Sequence, residues 1–574
     1  MRIHTGRVIY ATTGCRFPTT NLCYNFKEFG VLMNRNFTIG AVILVVIGAV
    51  VGGLFGRLSP TTSADSSVTA GRIVSDYTEA LDVIDKNYIG KVDHEKIADS
   101  SIQSMLWTLD PHSSFFTRDE FRKLYEEQAS QFYGIGVSIL QHRDGVYVQS
   151  VIPNTPADKA GLRYGDRFLQ VDGKDATEWS SAEVSKNVRG KGGTPVKVKI
   201  ERAASSAPLD FEIVRGGVPL PSIRNYFMLS NGVGYVGLTG GFQETTSEEL
   251  SDAIKELQKQ GMKSLILDLR GNPGGLLPQA IDVVGKFVPS GQTVVSVKGR
   301  AAYAKTQELR SRGGQVENFP LAVLINGGSA SASEIVAGAI QDYGRGVIVG
   351  SDSFGKGLVQ RVFQLPYDTG LTLTTARYYT PYGRSLQRDY SSGSIYEYYS
   401  HQDDPTAAEE AKPKPVGSPV TTPSGRVLYG GRGIEPDIKV AAVEYNALRF
   451  RINDAAFYFT RQLVAGKIPG FENYKVDRQN QSLTVAPNAF QVNDKLLEAF
   501  RNFTVADKKS GLSAENINAQ ADFAKTRLRE ELATANYSNE AGIQVLLEVD
   551  PQVLKAMESM PEARKMLERN VAAN

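Results

Sequence analysis

The chain has 574 residues, 41% of them hydrophobic and 22% charged, a folding composition spread over more length than one core can use, so several domains are expected. Lys and Arg number 64 against 62 Asp and Glu, and the resulting formal charge of +2 lacks the broad basic footprint of a nucleic-acid binder. The two cysteines, Cys15 and Cys23, lie near the N-terminus, so no disulfide framework or cysteine metal site exists beyond them.

Phe37 to Leu54, FTIGAVILVVIGAVVGGL, carries no charge. At about 1.5 Å per helical residue it spans roughly the thickness of a bilayer core. Arg2, Arg7, Arg16, Lys27 and Arg35 precede it against Glu28 alone, so the positive-inside bias keeps residues 1–36 cytoplasmic and exports the chain beyond the apolar run. A transmembrane signal-anchor over 37–56 and a cleaved signal peptide both fit, and both send the rest across the membrane. Met33, in Met-Asn-Arg-Asn just before the apolar run, is a candidate true start, which would remove both cysteines.

Residues 57–72 are small and polar, a flexible tether. Ile73, Tyr77, Leu81, Ile84 and Tyr88, then Ile97, Ile102, Met105 and Leu106, recur at helical spacing and predict a helical N-terminal region over 73–131. Short apolar runs separated by turns over 132–206 (GIGVSIL, GVYVQSVI, DRFLQVDG, TPVKVKIER) predict a β-rich module. Its opening, Tyr133-Gly134-Ile135-Gly136-Val137, is a glycine-hydrophobic-glycine loop entering a strand, able to offer backbone N–H groups to a carboxylate while the strand edge takes up an extended peptide. Together with VIPNTPADKAGLRYGDRFLQVDG, this module resembles a PDZ domain.

Residues 207–400 alternate strands (SLILDLR, LAVLING, GVIVG) with helical stretches and read as α/β, closed by a last strand in GGRGIEPDIKV over 425–440. The stretch 401–424 holds five prolines and no aromatic and reads as a loop. Residues 441–574 read as mostly helical, with Tyr445, Phe450, Phe457, Tyr458 and Phe459 assigned to its core.

The densest chemical constellation is Asn326-Gly-Gly-Ser-Ala-Ser-Ala-Ser-Glu334, between the strand LAVLI and the helix EIVAGAIQDY. Serine at such a junction is exposed beside free helix N-terminal N–H groups, which suits a developing oxyanion. Ser329, Ser331 and Ser333 compete for that role, and all three could equally cap the helix. Of the five histidines, only His401 falls in the α/β region, inside the loop, which turns attention from histidine to lysine as the base. Lys356, in GSDSFGKGLVQ, is the candidate, and it must be buried to act near neutral pH. The same segment is one residue short of a P-loop and has Gly357 where Ser or Thr would hold magnesium, and Ser353-x-x-Lys356 has serine-lysine spacing, though its glycines oppose a helix. Leu267-Asp-Leu-Arg270-Gly-Asn-Pro-Gly-Gly275 ends a strand in a turn that could supply an oxyanion N–H or serve only as a turn.

The order of these motifs, completed by TTARYYTPYGRSLQ and GRGIEPDI, resembles the carboxy-terminal processing peptidases, the tail-specific serine proteases of family S41, over roughly residues 73–440. The resemblance implies a crotonase/ClpP-like α/β core with an inserted PDZ domain, and an endopeptidase that binds the free C-termini of exported proteins and needs no cofactor. It implies Ser331 as nucleophile, Lys356 as general base, Gln360 as the residue orienting it, and Gly275 (Gly274 as second choice) with Ala332 as the oxyanion hole. Asp342 matches an acidic position of structural role, and Arg189 an arginine that in some members reports PDZ occupancy to the active site. The inactive alternative, a PDZ scaffold on a peptidase fold, has no chemical reason to keep this set. Against the shorter members, the 401–424 insert and the 441–574 tail are additions. The tail is expected to form a homodimer or to cover the cleft, with adaptor delivery left open. The compartment expected is the inner membrane, single-pass, with the catalytic part periplasmic or otherwise extracytoplasmic, or the periplasm after signal cleavage.

Overall fold

A computed structural model describes residues 69–128, 130–390, 417–423 and 425–573. The expected membrane segment at 37–56 lies outside the described residues, and among those described no helix is long and apolar enough to cross a membrane. The chain divides into two compact units after Asp93. The described part of the first contains one helix, α1 (Ala70–Asn87), in which no residue is buried.

The second unit opens with α2 (His94–Trp107), β1 (Ser114–Phe116) and α3 (Arg118–Gln128). The expected all-helical stretch therefore contains a strand, and the reason is tertiary: β1 is too short to show a period and exists because it pairs with β18 (Gly370–Tyr379).

The β-rich module comes next: β2 (Gln131–Gly134), β3 (Val137–His142), β4 (Gly145–Val151), α4 (Pro156–Ala160), β5 (Arg167–Val171), β6 (Lys174–Asp175), α5 (Ser181–Val188), β7 (Pro195–Glu201), β8 (Leu209–Val214) and β9 (Gly216–Pro219). Its antiparallel sheet runs β3-β4-β5-β7-β8, with β6 on β5, so β3 is an edge strand. The module does not stop at Ser206 as expected. Leu209 to Val214 pair with β7 and bury Ile213, so the polar stretch before them is a hairpin loop inside the module and not a linker after it. The true neck is the ribbon β2/β9, in which Gln131 faces Pro219 and Gly134 faces Gly216.

The α/β region comprises β10 (Ile223–Met228), β11 (Val233–Leu238), α6 (Thr246–Lys259), β12 (Ser264–Asp268), α7 (Leu277–Val284), β13 (Thr293–Gly299), β14 (Gln307–Arg310), β15 (Leu321–Ile325), α8 (Ala332–Asp342), β16 (Val347–Gly350), β17 (Leu358–Gln364) and β18. A hairpin of β19 (Val420–Thr421) and β20 (Val427–Leu428) then leads to β21 (Ile438–Lys439), so the end of the predicted 401–424 loop is partly strand; residues 401–416 lie outside the described residues. The main sheet has the order β10-β11-β12-β15-β16-β21, parallel from β11 onward. Every residue of β11, β12, β15 and β16 is buried, as a parallel sheet covered on both faces requires. Helices α6, α7 and α8 share one core with one set of its side chains. A second sheet, β1-β18-β13-β14 with β17 on β18, flanks it.

The tail supplies the other face. It contains α9 (Ala447–Val464), α10 (Asp494–Ala506), α11 (Ala514–Ala519), α12 (Ala521–Asn536), α13 (Asn539–Leu547), α14 (Pro551–Glu558) and α15 (Met560–Ala573). Leu547, Val553, Ala556, Met560 and Ala563 pack with Ile266, Ala322, Leu324, Val347 and Val349 of the sheet. Phe457, Tyr458 and Phe459 are core as expected, but Tyr445 and Phe450 are 41% and 60% exposed. They sit at the start of α9, before the helix enters its packed stretch, and pair with each other at 5.5 Å.

Candidate active site

Strand β15 delivers the chain through Asn326-Gly-Gly to Ser331, the N-cap of α8. The three serines of this run are separated by their partners. Ser329 Oγ donates to the Leu269 carbonyl (2.8 Å) and Ser333 Oγ to the Asn272 carbonyl (2.9 Å), and both residues are fully buried, so Ser333 ties α8 to the Arg270–Gly275 turn and Ser329 ties the segment before α8 to the end of the strand that leads into that turn. Ser331 is the partly exposed one, and its φ of 56° with ψ of −113° is a backbone state that side-chain-bearing residues adopt at a cost.

The glycine turn closes on it. A Cβ on Gly274 would lie 2.7 Å from the Ser331 Cβ and 2.9 Å from the Ala332 nitrogen, and one on Gly275 would lie 2.2 Å from the Phe242 carbonyl oxygen, so only glycine permits the approach. The Gly274 N–H donates to Asn272 Oδ1 (2.9 Å). The Gly275 and Ala332 N–H groups donate to no acceptor among the described residues; Ala332 follows Ser331 in the chain, and Gly275 follows Gly274, the residue packed against Ser331. That pair is available to an oxyanion, whereas Gly274 is committed.

Lys356 lies on the turn between β16 and β17. One side chain joins it to the nucleophile segment: the fully buried Glu334 accepts the N–H of Ser331 (2.9 Å) and of Lys356 (2.9 Å) on Oε2, and the Gly355 N–H (2.7 Å) and Ser353 hydroxyl (2.6 Å) on Oε1. Burial pushes the Glu334 carboxyl upward, and these four donors work against it. Burial likewise pushes the Lys356 ammonium below its ordinary value, opposed by Glu334 and Asp110. Lys356 Nζ donates to Gln360 Oε1 (2.8 Å) in this structure and makes no hydrogen bond to Ser331. Gln360 lies on β17 four residues on, and its amide nitrogen donates to the His112 carbonyl.

Sequence patterns do not foretell that last partner. The Asp110 carboxylate accepts the N–H of His112 (2.8 Å) and of Ser113 (2.9 Å) together with the Ser113 hydroxyl (2.8 Å), folding residues 110–113 into a buried turn that aims the His112 carbonyl at Gln360. The His112 ring sits in the same environment; burial first, then Lys356, lowers its pKa to about 4, so it is neutral at neutral pH. Asp followed by N–H donors two and three residues later is a readable turn signal, but nothing in the sequence ties that turn to Lys356, 246 positions on from Asp110. Glu334 was readable as the N3 member of a Ser-x-x-Glu cap. Asp342 is structural as expected, ion-paired with Arg384 (2.5 Å) in full burial and accepting the Tyr382 N–H (3.0 Å).

In the β-rich module, Tyr133 is 43% exposed while Ile135 is a core side chain, so Ile135 contributes only main chain to the loop. The Gly136 carbonyl accepts the Ile152 N–H (3.0 Å) and the Thr155 hydroxyl (3.2 Å), and a Cβ there would collide with Thr155 at 2.2 Å. Val137 leads into the edge strand β3, across from α5. The Arg189 guanidinium lies 4.2 Å over the Phe132 ring, beside Gly134.

The chain is similar to known proteins over both of these regions. Residues 232–393 match peptidase family S41, and residues 134–213 match a PDZ domain. A carboxy-terminal-processing protease of Bartonella bacilliformis is 35% identical over 350 residues, 60% of this chain and 80% of that protein. The carboxy-terminal processing protease CtpA of Bacillus subtilis is 34% identical over 316 residues, covering 54% and 66% respectively. Among solved structures, a photosystem II D1 C-terminal processing protease is 26% identical over 64% of this chain and 86% of its own, with a TM-score of 0.33.

Proposed function

Because the chain belongs to peptidase family S41 and is a carboxy-terminal processing serine protease with a PDZ domain, we propose that Ser331 is its nucleophile and Lys356 its general base. The observation that carries this assignment is the shared Glu334 carboxylate, which holds the backbones of Ser331 and Lys356 together while the Gly275 and Ala332 N–H groups stand unengaged beside the serine. Neutral Lys356, turning from Gln360 toward Ser331, takes the hydroxyl proton as Oγ attacks the scissile carbonyl. The oxyanion is held by Gly275 and Ala332, the lysine returns the proton to the leaving amine, and water hydrolyses the acyl-enzyme by the same path.

The PDZ domain receives the substrate C-terminus: the carboxylate at the Tyr133–Val137 loop, the preceding residues added to the free edge of β3. Arg189, beside Gly134, is placed to sense that loop, and bound peptide shifts a resting population toward the active one. The apolar run at 37–56 with its preceding cations supports an anchored enzyme working on the extracytoplasmic side, on exported proteins.

The test uses the full chain, as wild type and Ser331→Ala, with an unfolded protein whose apolar C-terminus is either free acid or amide, products being read by mass spectrometry. Serine-dependent cleavage of the acid but not the amide is the expected result. Cleavage of both forms discards the carboxylate role of the PDZ domain, and cleavage by Ser331→Ala discards the nucleophile.

A further inference from the structure

A recess of about 270 Å³ opens between the two sites just described. One wall is PDZ: Phe132 and Arg189, whose side chains lie within 3.6 Å of the position a Cβ on Gly134 would take. The opposite wall is peptidase: the Gly240–Gln243 loop, which continues directly into the oxyanion turn through Phe242 N–H to Gly274 O (2.9 Å) and Leu276 N–H to Phe242 O (2.7 Å). Helix α3 and strand β10 complete it with Lys123 and Arg224. A chain held by its end at the PDZ loop and cut at Ser331 has to cross from the first wall to the second.

The charges here are unbalanced. Lys123, Arg189 and Arg224 all face the recess, and none forms an ion pair among the described residues. Among the described side chains the wall holds one carboxylate, Glu126, which is 3.7 Å from Arg122, outside the recess. The loop wall is held from within: Gln243 is 5% exposed and its amide nitrogen donates to the Gly240 carbonyl (3.0 Å). The frame is fixed, since the end of α3 is pinned to the loop by Glu244 N–H to Gln128 O (3.2 Å) and by the Ser130 and Thr245 hydroxyls at 2.9 Å. At roughly 30 Å³ per water, the volume equals about nine waters, enough for one extended side chain with its hydration and too little for a folded element.

We infer that this recess is a substrate subsite for an acidic side chain, Asp or Glu, in the segment between the PDZ-bound C-terminus and the scissile bond. Lys123 and Arg224 supply the charge, and Arg189 closes the PDZ side. The inference rests on the proposed path of the substrate from PDZ loop to Ser331.

The experiment walks a single Asp, and separately its neutral isostere Asn, through every position of one peptide with a free C-terminus, and reads kcat/KM for the wild-type enzyme and for Lys123→Glu/Arg224→Glu. Wild type is expected to favour Asp over Asn by about tenfold, in the range of a charge-assisted hydrogen bond, at one narrow window of positions. In the double variant the preference at that window reverses, so that a Lys-bearing peptide outpaces the Asp peptide there. A flat wild-type profile, or a window that persists in the double variant, overturns the inference. The wild-type series also stands alone if the variant does not fold, because the preference must weaken as salt rises from about 50 to about 500 mM. Absence of Ser331-dependent cleavage from every peptide, Asn series included, would instead sink the protease assignment and is thereby distinguishable.

Discussion

The C-terminal tail grips the peptidase sheet with α13, α14 and α15 and the PDZ module with α9 and α12, and the two grips differ in chemistry. Against the sheet the seam is apolar: Leu547, Val553, Ala556 and Met560 lie on strands buried to the last residue. A polar hold at its end, Arg270 to Asp550 (2.9 Å) and Gln552 (2.8 Å), braces the turn that carries Gly275. Against the PDZ module the seam is polar and aromatic. The His142 ring stacks on Phe457 at 3.8 Å and its Nδ1 meets Asp454 at 2.8 Å, Tyr164 donates to Glu531 (2.6 Å), and Arg461 reaches the Gly165 carbonyl (2.7 Å) and Glu201 (2.8 Å). The apolar seam is part of the fold, since a parallel sheet with one bare face is not a stable object. The polar seam is directional, so it fixes where the PDZ module sits and responds to pH.

Truncation after Val440 is the largest test of that difference. It bares one face of the sheet, and at about 1.5–3 kcal/mol for each large side chain uncovered, the loss is on the order of the whole stability of a domain. We expect no soluble folded product by gel filtration and circular dichroism; a folded truncation would show that the sheet does not need this face covered.

Next comes Asp110→Asn, which tests a polar seam inside the active site. Loss of the charge weakens the turn that aims the His112 carbonyl, and kcat should fall about 10- to 100-fold, as for a charge-assisted hydrogen bond removed near a reacting group. A purely structural role would stop there. Asp110 also raises the Lys356 pKa, so its removal lowers that value further and moves the rising, base-dependent limb of the pH–kcat profile toward lower pH. An unmoved limb would separate Asp110 from the lysine.

Arg461→Ala in the PDZ seam should cost about 1–3 kcal/mol, by leaving the Gly165 carbonyl without its donor. Thermal denaturation measures it, and a loss comparable to the truncation would erase the contrast between the seams. The smallest effect belongs to Glu531→Gln. Burial and the neighbouring Glu530 hold the Glu531 carboxyl well above its ordinary 4.5. The folded state therefore keeps a proton that the unfolded chain releases, and stability declines as pH rises above 4.5. Gln keeps the acceptor for Tyr164 without a titrating proton, so the slope of Tm against pH over this range should flatten, while an unchanged slope would place the titration elsewhere.

Legibility in the sequence tracked the range of the interactions. The order of modules, the buried strands and Lys356 as the candidate base are local patterns, since buried strands need unbroken apolar runs, whereas the choice of Ser331 among three serines and the role of Gln360 came from the family resemblance. What misled was equally physical. The expected end of the β-rich module at 206 falls inside a hairpin, because β8 finds its partner in β7. Tyr445 and Phe450 have the composition of core yet precede the packed turns of α9.

By itself the sequence determined the catalytic chemistry on offer, the PDZ-type loop and the division into regions, because these depend on residue type and short spacing. Only the tertiary structure decided which of three serines stays partly exposed, that Gly275 and not Gly274 keeps its N–H, that Glu334 joins the backbones of Ser331 and Lys356, and that a turn at 110–113 meets Gln360. Those depend on which buried donor meets which acceptor across tens to hundreds of positions, and that pairing is settled by packing, where a buried polar group must find a partner or destabilise the fold.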